Sequence, residues 1–97
     1  MILPAYNSNG DKMYNLKDAI FVASLLNIKF DKFTKEEFLD GINIELEHGT
    51  IDQVTNVTND NLLTTAKIAL AHLNEFPNYY NKKYGLRRFE QFLKTRL

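Results

Sequence analysis

Two short segments of the chain carry the residue types best suited to chemistry. Glu45 and His48 lie three positions apart in GINIELEHGT, and His72 and Glu75 lie three positions apart in AHLNEF. Residues three apart in an α-helix project from neighbouring positions on one face. Each segment therefore offers a carboxylate and an imidazole together, and the four side chains form a ligand set that suits zinc, iron or manganese in a helical bundle.

This polar cluster of Glu45, His48, His72 and Glu75 has three interpretations. The favoured one is structural, because an imidazole at a helix C-terminus complements free carbonyl groups and a histidine beside Leu73 fits a core edge. A hydrogen-bond network joining the two segments is the second, and a metal site is the third. We therefore expect no cofactor, with zinc, iron or manganese as the alternative.

The spacing of apolar residues predicts an all-α fold, a small bundle of about four helices. The first helix begins after Asn15 and runs to about Asn27. Thr34 and Glu37 have the spacing of a capping box, which starts the second helix at Lys35. Gly49 is expected to end that helix in the left-handed conformation, which leaves His48 in its last turn.

The third helix is expected to begin after a cap at Thr58 or Asn59 and to end before Pro77. A fourth helical region spans about residues 79–94. The loop between the second and third helices, TIDQVTNVT, is long for a bundle connection, where about two to eight residues suffice. About nine residues can span roughly 30 Å, so we predict that this loop brings the two polar segments together.

Length and composition indicate one domain over residues 1–97, with a flexible lead over residues 1–13. Cysteine is absent, which excludes disulfides, thiolate metal sites and cysteine nucleophiles. The opening lacks a signal-peptide pattern, and the longest apolar run, AIFVASLLNI, is too short to cross a bilayer. We expect a cytoplasmic protein without membrane contact.

Charge is distributed unevenly along a chain whose formal net charge is zero. Residues 82–97 form a basic C-terminal helix or tail with an excess of about five positive charges. Its basic residues are a candidate binding surface: Lys82, Lys83, Arg87, Arg88, Lys94 and Arg96. A protein is the favoured partner, with nucleic acid as the less favoured alternative, and the oligomeric state stays open.

The segments FTKEEFLDGINIELEHGT, TNVTND and KIALAHLNEFPNYY resemble an uncharacterised family of short proteins and domains from bacteria, phages and large viruses. The resemblance covers about residues 33–80. Its signature falls on Glu45, Glu47, His48, Gly49, Thr58, Asn59, Asp60, His72, Glu75, Pro77, Tyr79 and Tyr80. The resemblance implies a domain and no mechanism, with a phage or viral origin and a location in the host cell or virion.

Other catalytic patterns have little support. Ser24 lies inside an apolar helical stretch, with no residue pattern that pairs it with a histidine, and the chain has no glycine-rich phosphate loop. We therefore predict a small non-enzymatic interaction or structural module. The alternative is a metal-binding protein or metal-dependent enzyme that uses the polar cluster.

Overall fold

The computed structural model describes residues 2–81, which form three α-helices and a small antiparallel sheet. The strands are β1 (Ala5–Tyr6) and β2 (Lys12–Met13), and the helices are α1 (Leu16–Leu25), α2 (Lys35–Glu45) and α3 (Leu62–Glu75). A 3-10 turn over Leu46–His48 continues α2. The chain is thus mainly helical, as predicted, with a sheet in addition. The predicted fourth helix lies outside the described residues, apart from its first positions, which form a turn.

The first two helices begin where the sequence predicts. The Asn15 side chain accepts from the Asp18 backbone N–H at 3.0 Å, and the Asp18 carboxylate accepts from the Asn15 N–H. Thr34 and Glu37 make the same reciprocal pair, at 3.0 and 3.1 Å. Each pair satisfies backbone donors that the first helical turn leaves free.

The predicted cap of α3 was wrong. Asn61 caps this helix by accepting from the Thr64 N–H at 2.9 Å, whereas Thr58 and Asn59 lie outside it. Asn59 and Asp60 have φ of 52° and 60°, in the left-handed region, so the helix cannot begin before them. Thr58 instead accepts the Asp60 N–H.

The chain before α1 folds into a hairpin in place of the expected flexible lead. Ala5 pairs with Met13 and Tyr6 with Lys12. The connecting turn depends on Asn7, whose side-chain oxygen accepts from the N–H groups of Asn9 and Asp11. Side-chain caps of this kind stabilise turns without any apolar pattern. The hairpin was therefore not predicted, because this segment has no alternating apolar pattern that would indicate strands.

The core lies between the helices, and most of its side chains come from apolar positions of α1, α2 and α3, whereas Tyr14 and Phe33 precede the first two helices. Its buried members are Tyr14, Ala19, Val22, Ala23, Phe33, Phe38, Ile42, Leu46, Leu62, Ala66, Ala69, Leu73 and Tyr80. Phe30 packs edge-on against Phe33 and Phe38, which closes the connection between α1 and α2. No helix within residues 2–81 is long and apolar enough to span a membrane.

Gly49 does not end α2 in the way expected. Its φ is −101°, which any residue can adopt, so the left-handed interpretation was wrong. A Cβ atom at this position would overlap with the Asp60 carboxylate. Glycine is therefore required here for space, and not because the backbone is left-handed.

Candidate functional site

Glu45 is the centre of the first candidate site. Its carboxylate is buried, with the residue only 4% exposed, and Oε1 accepts a hydrogen bond from the Tyr80 hydroxyl at 2.7 Å. Gly41, one turn earlier on α2, makes room for the tyrosine, because a Cβ there would lie 2.5 Å from Cε2 of the ring. The ring of Tyr80 therefore packs against α2 at Gly41, and its hydroxyl reaches the buried carboxylate of Glu45.

His72 faces the same carboxylate from α3. Its Nδ1 lies 3.7 Å from Glu45 Oε1, which is too long for a hydrogen bond but close enough for a charged pair. Nδ1 is buried and has no hydrogen-bond partner among residues 2–81. The imidazole ring contacts Tyr79 edge-on, with centroids 4.3 Å apart, and lies parallel to the Tyr80 ring. About a third of the side chain stays exposed, on atoms other than Nδ1.

The chemistry of this group follows from burial. Burial raises the pKa of the Tyr80 hydroxyl far above its usual value, and the hydrogen bond to Glu45 and the charge of that carboxylate raise it further. Tyr80 therefore stays protonated and donates. A shift of the imidazole by less than about 1 Å would bring Nδ1 within hydrogen-bond range of Glu45. The arrangement can hold a charged or hydrogen-bonded carboxylate–imidazole pair.

Only half of the predicted polar cluster meets in space. Glu45 and His72 come together, as the network interpretation requires, whereas the side chains of His48 and Glu75 are exposed. His48 contributes through its backbone, because its carbonyl accepts from the N–H groups of Val57 and Thr58. Among residues 2–81, no group of three or more His, Cys, Asp or Glu side chains is arranged to hold a metal ion.

Asp60 forms a second polar site that sequence reasoning did not identify as one. Its carboxylate accepts from the Thr50 N–H at 2.9 Å, the Thr50 hydroxyl at 2.5 Å and the Lys12 ammonium at 2.9 Å. Its backbone carbonyl accepts from the buried Tyr14 hydroxyl at 2.6 Å. These bonds tie the hairpin, the end of α2 and the long loop together.

The pKa of Asp60 reflects two opposing effects. Burial raises it, but the hydrogen bonds from Thr50 and Lys12, together with the lysine charge, outweigh burial and leave the pKa below its ordinary value. The same hydrogen bond raises the pKa of Lys12. Asp60 is therefore ionised and serves as a structural anchor.

A third feature is apolar. A groove of about 280 Å³ runs between the N-terminal segment, α1 and the start of α3. We call it the apolar groove, and it is lined by Ile2, Phe21, Val22, Leu25, Asn61, Leu62 and Leu63. Phe21 and Leu25 are about half exposed, at 50% and 57%. The apolar spacing of α1 predicts that both side chains are buried, and the structure instead leaves them exposed.

The basic residues proposed as a binding surface, from Lys82 to Arg96, lie outside the described residues. Comparison with known protein families shows that residues 19–91 match the family described as "Protein of unknown function (DUF5661)". No curated protein and no solved structure matches the chain.

Proposed function

Since the chain belongs to the DUF5661 family, whose function is unknown, we propose a function from its geometry: a small non-enzymatic module that binds an apolar segment of a partner protein. The apolar groove carries this proposal. Large apolar side chains at its edges remain exposed, and contiguous exposed apolar surface on a small domain marks an interaction site. A phage or viral origin, which the resemblance implied, stays a prediction.

The size of the groove favours a few side chains over a cofactor. Its volume of about 280 Å³ lies just below the range of about 300–1,000 Å³ typical of small-molecule sites. Its lining is aliphatic and aromatic apart from Asn61. Two or three aliphatic side chains from one partner segment would fill such a groove, in the manner of anchor residues at protein interfaces.

Positive charge beside the groove favours a partner segment that carries acidic residues. Lys17 lies one helical turn before Phe21 on α1, and Lys67 lies one turn after Leu63 on α3. Both lysines are exposed, and within the described part of the chain neither forms an ion pair. The groove therefore suits aliphatic anchors with acidic neighbours.

The test uses a synthetic amphipathic peptide with leucines at helical spacing and glutamates beside them. We expect it to bind the full-length protein and to shift the amide resonances of Phe21, Leu25 and Leu63 in two-dimensional NMR spectra. Leu25→Lys should weaken binding about tenfold or more, since losing one buried leucine contact costs at least about 1.5 kcal/mol.

Phe76→Lys is the matched control, because Phe76 is equally exposed but lies about 13 residues along α3 from Leu63, or roughly 20 Å. It should leave binding unchanged. Absence of binding at millimolar peptide, or equal binding by Leu25→Lys, would remove the groove as the site.

Metal binding is a second candidate function, favoured by the pairing of His72 with Glu45. Metal-ligating histidines commonly face a carboxylate with their other ring nitrogen, as His72 Nδ1 does here. In this function the exposed side of the imidazole would supply one ligand and Glu45 would orient the ring. The other ligands would have to come from outside residues 2–81, because no group of three or more His, Cys, Asp or Glu side chains within that range is arranged for a metal. Elemental analysis of protein purified without a histidine tag tests it: stoichiometric zinc, iron or manganese that His72→Gln abolishes would support it, and its absence would count against it.

A further inference from the structure

The long loop between α2 and α3 presents three exposed aliphatic side chains. We call residues 50–57 the aliphatic loop: Ile51 and Val57 are mostly exposed, and Val54 is 92% exposed. These side chains recur at every third position, and no described residue covers them. Three exposed aliphatic side chains within seven residues of one loop give an apolar surface that lies outside the described core.

The loop is held in a defined shape. The Asp52 side chain accepts from the Val54 N–H at 2.9 Å, and the Asp52 carbonyl accepts from the Thr55 N–H. At its ends, the loop is fixed by the Thr50–Asp60 hydrogen bonds and by the Val57 N–H, which donates to the His48 carbonyl at 2.6 Å. A loop ordered before binding loses less conformational entropy on association.

We infer that the partner of the apolar groove is a second copy of this chain, whose aliphatic loop fills it. The inference rests on the docking function proposed above and names its partner. The loop carries the two features that suit the groove. It has exposed aliphatic side chains, and it has an acidic residue, Asp52, close to Val54. That carboxylate complements Lys17 and Lys67 at the edges of the groove.

The positions of the two surfaces favour a closed dimer. Val57 ends the loop and Asn61 lines the groove, so at most about 14 Å of chain separates them. In a two-fold arrangement, the loop of each copy would occupy the groove of the other, so both contacts would form together. Reciprocal contacts of this kind close the assembly at two copies, whereas a single head-to-tail contact would propagate.

Sedimentation of the full-length protein from about 1 μM to about 1 mM tests the inference, a range that includes weak association. We expect a monomer–dimer equilibrium. Val54→Lys in the loop and Leu25→Lys in the groove should each weaken dimerisation about tenfold or more, while Phe76→Lys leaves it unchanged. Both substituted positions are exposed, so the variants should fold, which their thermal unfolding checks.

Mixing the two variants is the decisive step. Each variant alone lacks both loop–groove contacts, but the mixture restores one contact between the native loop of Leu25→Lys and the native groove of Val54→Lys. We expect the mixture to form a heterodimer more tightly than either variant dimerises alone.

Other outcomes overturn the inference. If Val54→Lys dimerises as tightly as the native protein, the loop does not take part, and a dimer that only Leu25→Lys weakens would pair groove with groove. If the mixture associates no more tightly than either variant alone, the loop of one copy does not bind the groove of the other. A protein that stays monomeric at 1 mM while the leucine–glutamate peptide still binds would refute self-association and leave the docking function standing. If the peptide does not bind and Leu25→Lys does not weaken dimerisation, both the docking function of the groove and its self-association are wrong.

Discussion

The Asp60 carboxylate occupies the space beside Gly49 where any other residue would place its Cβ atom. The contact joins the end of α2 to the residue that precedes the cap of α3. It also explains why Asp60 can accept from the Thr50 backbone and hydroxyl at once, since the carboxylate lies directly against the main chain. The geometry of the long loop thus depends on one missing side chain.

Gly49→Ala should therefore destabilise the protein by about 1–3 kcal/mol, as overpacking does in a tight site. The penalty should shrink in an Asp60→Ala background, because the clashing oxygen is then absent. Urea denaturation of the two single variants and the double variant measures this coupling. Glu47→Ala, at a neighbouring exposed position, is the matched control. Strictly additive penalties would contradict the contact.

The lowered pKa of Asp60 predicts a loss of stability in acid. A carboxyl whose pKa is lower in the folded state stabilises the fold above its ordinary pKa, and this contribution is lost as pH falls through the lowered value. We expect the native protein to lose more stability than Asp60→Asn between neutral pH and about pH 3, well below the ordinary carboxyl pKa. Denaturant unfolding across that range checks it, and parallel curves would show that Asp60 does not contribute.

The sequence predicted well the features that depend on local pattern. The start of α1 after Asn15, the capping pair of Thr34 and Glu37 and the end of α3 before Pro77 depend only on residues within one or two turns. The long loop led us to expect that the two polar segments meet; in the structure Glu45 lies beside His72, whereas the side chain of His48, which we expected to couple to His72, is exposed.

Features that depend on contacts between distant segments could not be predicted. Lys12 and Asp60 are 48 positions apart, so nothing in the local pattern of either indicates the ion pair that fixes the hairpin. Gly49 was assigned to the commonest role of a glycine after a helix, and only the folded position of Asp60 shows another. The exposure of Phe21 and Leu25 likewise depends on how α3 packs.

The caps of α2 and α3 should make similar contributions to stability. Thr34→Ala and Asn61→Ala each remove a side-chain acceptor for a free backbone N–H, so each should cost about 1 kcal/mol. Thr55→Ala serves as the control, since Thr55 is exposed in the loop and takes part only through its backbone. An unchanged denaturation midpoint for Asn61→Ala would show that the cap lies elsewhere.

Two buried tyrosines predict sensitivity to alkali. Burial raises the pKa of Tyr14 to about 12, helped by the charges of Asp60 and Asp18, and the pKa of Tyr80 is raised further. A raised pKa favours the protonated form in the folded state, so this stability is complete below the ordinary tyrosine pKa of about 10 and is lost as pH rises above it.

Each buried tyrosine should contribute a slope of up to about 1.4 kcal/mol per pH unit above pH 10. Denaturant unfolding between about pH 9 and 11.5 would measure the slope, with phenolate absorbance following the ionisation. Tyr14→Phe should make the loss of stability less steep, and Tyr6→Phe, at an exposed position, is the matched control. A slope that Tyr14→Phe leaves unchanged would show that this group does not ionise on unfolding.

The last prediction concerns the polar cluster of Glu45, His48, His72 and Glu75. The structure places Glu45 against His72 and leaves the His48 side chain exposed, so we expect energetic coupling in the first pair and not between the two histidines. Glu45→Gln and His72→Gln should show a coupling energy above about 0.5 kcal/mol in a double-mutant cycle, while His48→Ala and His72→Ala should be additive. Tyr80→Phe should cost about 1–3 kcal/mol, because it removes the donor from a buried carboxylate. Coupling between the histidines instead would mean that the His48 side chain lies closer to His72 in solution than its exposed position in the structure indicates. Additive penalties in both cycles would mean that Glu45 and His72 are only in packing contact. They would also count against His72 as a functional residue.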